Sequence, residues 1–305
     1  MAHPPLIVVA GPTASGKSQL GVELAERLDG EVINADSMQL YRGMDIGTAK
    51  ITAEEARGIR HHLLDVLEVT EEATASAYQR QARDVVADIR ARGKTPIMVG
   101  GSGLYIRAAV DIIEFPPTDP DVRRQLEDRL QVEGPQALRA QLRAADPESA
   151  AVVQDDRRLI RALEVVTITG RPFTTFMPPH QYEPSVEPVV QLGLRVNREV
   201  LHQRIEDRVA TMRRRGLLDE VRQLAAQGLR HGKTAQHAIG YQQFLRVLDG
   251  AISEDQAAEQ TVTATRKFAR RQETWFRADG RIHWLGAPAE DLTDRAEEAI
   301  RAATG

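Results

Sequence analysis

Eight residues near the start of the chain, GPTASGKS at positions 11–18, have the types and spacing that bind a phosphate group. They match the pattern G-x-x-x-x-G-K-[ST] in full, and they stand between the apolar run Leu6–Ala10 and a helical pattern. The glycines let the backbone turn tightly and direct its N–H groups at phosphate oxygens, and the helix N-terminus adds its dipole. The pattern predicts a diphosphate-binding loop made of Gly11, Pro12, Thr13, Ala14, Ser15, Gly16, Lys17 and Ser18. In this loop the Lys17 ammonium meets the phosphates and the Ser18 hydroxyl is offered to Mg²⁺.

A carboxylate follows the second apolar run, EVINA, at Asp36. An ATPase built on such a loop also needs a second carboxylate that organises the metal, usually an aspartate at the end of a nearby apolar strand. The later run TPIMV ends in Gly100 and Gly101 instead, so no aspartate stands at that place. Sites form at the carboxyl ends of parallel strands, which predicts that Asp36 faces the loop. The alternative is that Asp36 only caps the next helix, because aspartate is a favoured N-cap residue. Position alone leaves both interpretations open.

Short apolar runs alternate with helical patterns, which favours an α/β fold, a P-loop-type parallel sheet wrapped by helices. We predict strands at 6–10, 31–35, 95–99 and 188–196, and helices at 17–28, 76–92, 198–227 and 253–277, with a further helix from Ser102. Between the proline-rich stretches 116–120 and 171–188, charged helical patterns predict a small all-helical insertion over 116–188. The main domain is then discontinuous, made of 1–115 and 189–305.

The composition limits the classes of function. The chain has 305 residues, a formal net charge of −4 and no cysteine, which excludes disulfides and cysteine-ligated zinc. Any nucleic-acid surface must therefore be a local basic patch, and residues 195–277 hold 16 Lys and Arg against 10 Asp and Glu. The first ten residues lack the basic start of a signal peptide, and no apolar stretch approaches the ~20 residues that span a bilayer. We expect a cytoplasmic protein with no membrane partner.

Five longer stretches accompany the phosphate loop: DSMQLYRGMDIGTAK (36–50), VGGSGLYI (99–106), RRLIRALEV (157–165), AIGYQQ (238–243) and ATRKFARRQETWF (264–276). With the loop, and in this order, they closely resemble the tRNA dimethylallyltransferases, also called tRNA isopentenyltransferases, from Ile7 to about Trp284. The resemblance implies that the loop holds the diphosphate of dimethylallyl diphosphate and not ATP. The implied reaction transfers the five-carbon prenyl group to the exocyclic N6 of the adenosine 3′ of the tRNA anticodon and releases diphosphate.

The resemblance also implies roles for individual residues. Asp36 would be the base that accepts the proton of the adenine amine, and Ser102 and Arg208 would complete the catalytic set. Ser102 stands where the family often has threonine, and the alternative for Arg208 is a solvated helix face. The implied tRNA contacts are Asp36, Ser37, Met38, Gln39, Ser102, Arg123, Arg157, Arg158, Arg161, His237 and Gln242. The insertion would lie over the anticodon stem-loop, Mg²⁺ would be the cofactor, and we expect a monomer.

Two other classes of function stay open. A small-molecule or nucleotide kinase would use ATP at the same loop, but it leaves DSMQLYRGMDIGTAK unexplained. A non-catalytic RNA-binding module would not need a complete phosphate loop.

Four further residues are interpreted as structural. His61 and His62 have no recognisable metal-ligand spacing around them. Trp275 and Phe276 are expected in the core rather than as base-stacking platforms.

Overall fold

The chain forms two compact units in the computed structural model, which describes residues 3–176 and 180–304. One unit is helical and spans Asp111–Gln181, and the other contains the rest of the described chain. The sequence predicts the insertion at 116–188, a few residues later at each end. Residues 182–188 belong to the larger unit, because Val186 is buried in its core and the Arg90 guanidinium donates to the Val186 and Pro188 carbonyl oxygens. Pro178 and Pro179 of the predicted proline-rich stretch lie outside the described residues.

The described part of the larger unit contains a sheet of six strands in the spatial order β3-β2-β4-β1-β5-β6, and all neighbours are parallel. The strands are β1 (Leu6–Ala10), β2 (Gly30–Asn34), β3 (His61–His62), β4 (Thr95–Gly100), β5 (Val189–Val196) and β6 (Ile282–Ala287). Their α/β arrangement confirms the predicted fold class, and four of them confirm predicted strands. The two edge strands β3 and β6 have no counterpart in the sequence predictions.

The described helices are α1 (Lys17–Arg27), α2 (Ala75–Ala91), α3 (Gly103–Val110), α4 (Pro120–Glu133), α5 (Pro135–Ala145), α6 (Pro147–Val152), α7 (Asp156–Thr169), α8 (Arg198–Arg214), α9 (Leu217–Ala226), α10 (Tyr241–Leu248), α11 (Glu254–Arg277) and α12 (Leu292–Thr304). The predicted capping box at Ser253 and Gln256 is confirmed at the start of α11. The single helix predicted over 198–227 is wrong, because Gly216 adopts φ 92° and separates α8 from α9. In the described part of the chain, no helix combines the length and apolar character that crossing a membrane requires.

Helices cover both faces of the sheet. In β1, Leu6 and Val8 pack into the cluster formed with α2 and α3, whereas Ile7 and Val9 pack into the cluster formed with α1, α8 and α12. Such burial on both faces explains why β1 is continuously apolar. Because the strands are parallel, the residues that follow β1, β2 and β4 leave the sheet at the same edge.

The helical unit has a core of its own. The buried leucines of α4, α5 and α7 form this core: Leu126, Leu138, Leu142, Leu159 and Leu163. Asp119, Gly134, Asp146 and Asp155 precede its four helices, and three of these helices begin with a proline within the first turn.

Candidate active site

The loop after β1 has the backbone of a phosphate-binding turn. Gly16 is the N-cap of α1 with φ 96°, and Ala14 also has a positive φ of 62°. Gly11 has φ 152°, and a Cβ at Gly11 would lie 3.2 Å from the Leu194 carbonyl oxygen of β5. The loop therefore needs glycine at these turns, as the sequence pattern predicts.

Lys17 is the first residue of α1 and is partly buried against the loop. Its ammonium donates to the Pro12 carbonyl oxygen at 2.6 Å. Burial lowers the pKa of Lys17 to about 7, the nearby Asp36 carboxylate opposes this effect, and the Arg208 guanidinium adds to it. A negative charge placed beside Lys17 would favour its ammonium form and raise this pKa.

Asp36 lies just past the end of β2, at the carboxyl edge of the sheet. Its N–H donates to Asn34 Oδ1 at 2.9 Å, and Asn34 Nδ2 donates to the Asp36 and Leu63 carbonyl oxygens. Its own Oδ1 accepts from the Met38 N–H at 2.9 Å. Asp36 therefore caps the turn that follows it, and the polar network fixes the direction of its side chain.

Ser102 follows β4 at the same edge. Its N–H donates to the Ala35 carbonyl oxygen at 3.2 Å, and its Oγ accepts from the Ser37 N–H at 3.2 Å. The Ser102 hydroxyl thus supports the backbone directly beside Asp36. This contact connects the residues that follow β2 with those that follow β4.

Two adjoining cavities open at this edge and share Arg208. The first, here called the loop cavity, has a volume of about 440 Å³, and its lining includes Ser15–Gln19, Ile51, Glu55, Arg57 and Arg208. The second, here called the Asp36 cavity, has a volume of about 280 Å³, and its lining includes Thr13, Asp36–Met38, Ile205, Arg208, Val209, Met212, His237–Ile239, Thr265, Phe268 and Arg271. The loop cavity is lined by three basic side chains, Lys17, Arg57 and Arg208, and by the single carboxylate of Glu55. The Asp36 cavity combines apolar walls with the carboxylate of Asp36.

Arg208 projects from α8 to the boundary of the two cavities. Its guanidinium donates to the Thr48 carbonyl oxygen at 2.9 Å. Burial lowers the pKa of Arg208, which the Asp36 charge opposes, and the group stays cationic at neutral pH. Arg208 is therefore held inside the site and is not a solvated residue on a helix surface.

The segment 36–50 is fixed by residues distant in the chain. The Glu220 carboxylate of α9 accepts from the N–H groups of Asp45, Ile46 and Gly47 and from the Tyr241 hydroxyl, at 2.6–3.1 Å. Gln39 Nε2 donates to the Thr48 carbonyl oxygen at 3.2 Å. The Gln39 amide thus bonds within its own segment.

Lys50 anchors the end of this segment. Its buried ammonium contacts Asp45 at 2.6 Å and Asp65 at 2.5 Å, and it donates to the Tyr41 carbonyl oxygen at 2.8 Å. A buried lysine with three acceptors is satisfied as a cation. Lys50 is therefore a structural residue of the segment.

Gln272 of α11 joins the phosphate loop to the end of β4. Its Oε1 accepts from the Thr13 N–H at 2.9 Å, and its Nε2 donates to the Gly101 carbonyl oxygen at 2.9 Å. A Cβ at Gly101 would lie 2.2 Å from Gln272 Nε2, so a side chain at this position would displace the Gln272 amide. Gln272 lies in the stretch ATRKFARRQETWF, which the sequence singles out without indicating this contact.

The residues predicted to contact tRNA fall into two groups in the larger unit. Asp36, Ser37, Met38 and His237 line the Asp36 cavity. Gln242 is exposed on α10, and Ser102 contacts Ser37 without lining either cavity.

The predicted arginines of the helical unit differ in their contacts. Arg123 and Arg161 pair with the buried Glu164 carboxylate at 2.6 and 2.7 Å, and Arg161 also donates to the Pro116 and Pro117 carbonyl oxygens. Arg157 lines a cavity of about 550 Å³ together with Arg123 and Arg161. Arg158 is exposed and lies 3.7 Å from Asp155. Arg161 thus has a structural role, because it connects Glu164 of α7 to the backbone before α4.

Two further predictions have different outcomes. Phe276 is buried, as predicted, but the core position predicted for Trp275 is wrong, because 41% of it is exposed. Trp275 lies one residue before Phe276 on α11, so the two side chains leave the helix in different directions. His62 Nε2 lies 2.6 Å from Glu31 Oε2. The hydrogen bonds from Arg92 and, to a smaller extent, from His62 lower the pKa of Glu31 to about 2.

Sequence reasoning missed Glu220, Tyr241 and Gln272 as parts of the site. Tyr241 and Gln272 lie inside quoted stretches, which is the only signal they carry. Glu220 lies in an ordinary amphipathic helix, and only the fold brings it against residues 45–47.

The chain is similar to a known protein family over most of its length. The family model described as IPP transferase matches residues 39–279. The tRNA dimethylallyltransferase of Pseudarthrobacter chlorophenolicus is 60% identical over 97% of this chain and 98% of its own length. The tRNA dimethylallyltransferase of Streptomyces coelicolor is 56% identical over 97% of this chain and 95% of its own.

Solved structures give the same result. The tRNA isopentenylpyrophosphate transferase of Bacillus halodurans is 37% identical, with a TM-score of 0.71 over 98% of each chain. A eukaryotic dimethylallyltransferase solved while acting on tRNA is 30% identical, with a TM-score of 0.80 over 97% of this chain and 78% of its own. Since the family model covers most of the chain and these relatives cover nearly all of it, the chain belongs to the IPP transferase family of tRNA dimethylallyltransferases.

Proposed function

We propose that this protein transfers the dimethylallyl group of dimethylallyl diphosphate to the exocyclic N6 of the adenosine 3′ of the anticodon in tRNA. The observation that carries the proposal is the pair of cavities that meet at Arg208. The cationic loop cavity suits a diphosphate, and the Asp36 cavity offers apolar walls for a prenyl chain and a carboxylate for the acceptor. The kinase alternative is not favoured by the family to which the chain belongs.

The diphosphate end would be held by the loop and by two cations. When the allylic C–O bond breaks, its electron pair leaves with the diphosphate, and the loop N–H groups, Lys17 and Arg208 stabilise that charge. Ser15 Oγ supports this binding mode, because it is buried and has no hydrogen-bond partner among the described residues. A phosphate oxygen would supply one.

Asp36 would act as the base. The adenine amine forms the new N–C bond to the prenyl carbon while its proton passes to the Asp36 carboxylate. Asp36 lines the same cavity as the apolar residues of α8 and α11, so its carboxylate can reach an amine placed against the prenyl group. The target base must leave its stacked loop to arrive there.

Mg²⁺ is proposed at Ser18, which lines the loop cavity beside Lys17. The described residues contain no cluster of three metal-binding side chains, and Mg²⁺ commonly takes most of its ligands from substrate phosphates and water. A single hydroxyl next to a diphosphate therefore fits this ion. When bound, Mg²⁺ would neutralise charge on the leaving diphosphate.

The tRNA contacts remain proposals. Ser37, Met38, Gln39 and His237 would meet the flipped adenosine and its neighbour, and the helical unit would lie over the anticodon stem-loop with Arg157 and Arg158 directed at phosphates. A tRNA substrate agrees with the cytoplasmic location, which stays a prediction, as does the monomeric state.

The experiment is a transfer assay with labelled dimethylallyl diphosphate, Mg²⁺ and an unmodified tRNA with adenosine after the anticodon. We expect Asp36→Asn, which keeps an acceptor for the Met38 N–H, to lower the transfer rate by about 10²–10⁴-fold while binding the donor as the wild type does. The control is Asp207→Asn, the same exchange at an exposed carboxylate of α8 that lines neither cavity, and it should transfer at the wild-type rate. Absence of transfer by the wild type, with ATP consumed instead, would establish the kinase alternative.

A further inference from the structure

Two exposed apolar residues of the larger unit lie where α11 meets the start of α3. Trp275 of α11 is 41% exposed and Leu104 of α3 is 47% exposed. A Cβ placed on Gly103 would lie 2.1 Å from Trp275 Cδ1, so the indole ring lies directly on the backbone at the start of α3. Isolated exposed apolar residues are common and need no functional explanation. The position of this pair, beside the candidate active site, suggests a function.

The pair borders the candidate active site. Gly103 follows Ser102, whose hydroxyl supports the backbone beside Asp36. Trp275 lies one helical turn beyond Arg271, which lines the Asp36 cavity, and Gln272, which bonds the phosphate loop. The side of α11 that forms the cavity wall therefore continues to an exposed aromatic ring.

The charged residues near Trp275 indicate which class of ligand could bind there. Lys267, Arg270 and Arg271 lie in the two turns of α11 before Trp275, and Lys267 and Arg270 are exposed. The Arg271 guanidinium lies over the Phe268 ring at 5.7 Å, and both residues line the Asp36 cavity. An exposed aromatic ring on a helix whose two preceding turns are basic matches a nucleobase attached to phosphates better than it matches an apolar protein segment.

We propose that Trp275, flanked by Leu104, is a stacking platform for a nucleobase of the RNA substrate, next to the base that enters the Asp36 cavity. This inference rests on the proposed function. A base that leaves a stacked loop removes the stacking partner of its neighbour, and RNA-binding proteins restore that contact with aromatic side chains. The indole ring would replace the lost partner at the rim of the cavity.

The test uses the fluorescence of Trp275 and needs no chemistry. The chain contains two tryptophans, Trp275 and Trp284, so Trp284→Phe leaves Trp275 as the only indole. An unmodified anticodon stem-loop RNA is added without prenyl donor, and its binding is followed separately by the anisotropy of a label at its end. We expect bound RNA to quench most of the Trp275 emission and to reduce quenching by acrylamide several-fold. RNA that binds and leaves both signals unchanged would overturn the inference.

Binding measurements on variants provide the second readout. Trp275→Ala is expected to weaken stem-loop binding about tenfold, whereas Trp275→Phe keeps a stacking face and stays within about threefold. Val200→Ala is the control, because Val200 is a similarly exposed apolar residue (38%) on another helix. Unchanged RNA affinity in Trp275→Ala, or an equal loss of dimethylallyl diphosphate affinity, would contradict a stacking role. Failure of the wild-type protein to bind RNA would overturn both this inference and the proposed function, whereas RNA binding without transfer would contradict the proposed function alone.

Discussion

At the scale of single residues, Asp36 combines two roles that its sequence position presents as alternatives. Its Oδ1 accepts from the Met38 N–H, as a capping residue does, and the residue also lines the Asp36 cavity. A carboxylate has two oxygens and about four lone-pair sites, so one cap bond leaves capacity to accept a proton. The cap therefore orients the carboxylate, which agrees with the proposed role of Asp36 as a base.

Lys17 gives the first prediction at this scale. Its pKa of about 7 means that the free protein carries the ammonium below pH 7 and the neutral amine above it. A bound diphosphate favours the ammonium, so above pH 7 binding takes up a proton and the affinity falls as pH rises. At pH 8 we expect dimethylallyl diphosphate to bind with uptake of close to one proton, measured by calorimetry in buffers of different ionisation enthalpy.

The control for this prediction is Lys17→Arg, whose guanidinium does not titrate in this range. It should bind without the lysine-linked proton. In the wild type, the donor Kd should rise by up to about tenfold per pH unit above pH 7. A Kd that stays flat from pH 7 to pH 9 would show that Lys17 is already charged in the free protein.

At the scale of elements, segment 36–50 behaves as one unit held from outside. Glu220 of α9 accepts three consecutive backbone N–H groups, and the Tyr241 hydroxyl of α10 bonds the same carboxylate. Burial and the Glu220 charge raise the pKa of Tyr241, so its hydroxyl remains a donor at neutral pH. The segment then presents the Thr48 carbonyl oxygen to Arg208.

Glu220→Gln should therefore alter the candidate active site, although Glu220 lines neither cavity. A carboxamide offers one acceptor oxygen and turns N–H donors toward backbone N–H groups. We expect a loss of about 1–3 kcal/mol in the free energy of unfolding and an increase in KM for dimethylallyl diphosphate, because Arg208 loses its fixed acceptor.

Tyr241→Phe is the matched variant, since it removes one of the four hydrogen bonds to Glu220 and keeps the ring. It should cost about 1 kcal/mol in unfolding free energy and leave KM close to that of the wild type. Denaturant unfolding and steady-state kinetics test both variants. An unchanged KM in Glu220→Gln would mean that Arg208 keeps its position without this support.

The elements with a clear period and end signals could be predicted from the sequence. Leu6–Ala10, the phosphate loop and the capped start of α11 carry all their signals locally. The edge strand β3 has two residues, too few for a period, and β6 alternates only weakly, with buried Ile282, Leu285 and Ala287. The break at Gly216 was missed because a helical pattern continues on both sides of it.

At the scale of the whole molecule, the site depends on contacts between residues far apart in the chain. Gln272 bonds Thr13 and Gly101, and Glu220 bonds residues 45–47. The roles of Asp36 and Arg208 could be expected from a family resemblance, but these supporting contacts could not, because no local pattern encodes a partner more than 150 residues away. The same limit applies to Trp275, whose exposure is decided by tertiary packing.

The helical unit has its own buried electrostatic centre. The Glu164 carboxylate is fully buried and accepts from Arg123, Arg161 and the Asp119 N–H. Burial raises the pKa of Glu164, but these hydrogen bonds outweigh it and hold the pKa below its ordinary value. Glu164 is therefore an anion that joins α4 and α7 to the start of the unit.

Glu164→Gln tests whether the two units depend on each other for stability. The amide leaves two arginines with one acceptor, which should cost the helical unit about 1–3 kcal/mol. We expect faster hydrogen exchange in peptides from α4 and α7 and unchanged exchange in β1, β4 and α11. The Kd for dimethylallyl diphosphate should stay unchanged, while transfer to tRNA falls.

Glu133→Gln is the control, because Glu133 forms an exposed pair with Arg129 and its replacement should alter exchange little. Faster exchange throughout the sheet in Glu164→Gln would show that the units unfold together, and unaltered transfer to tRNA would contradict a tRNA-binding role for the helical unit.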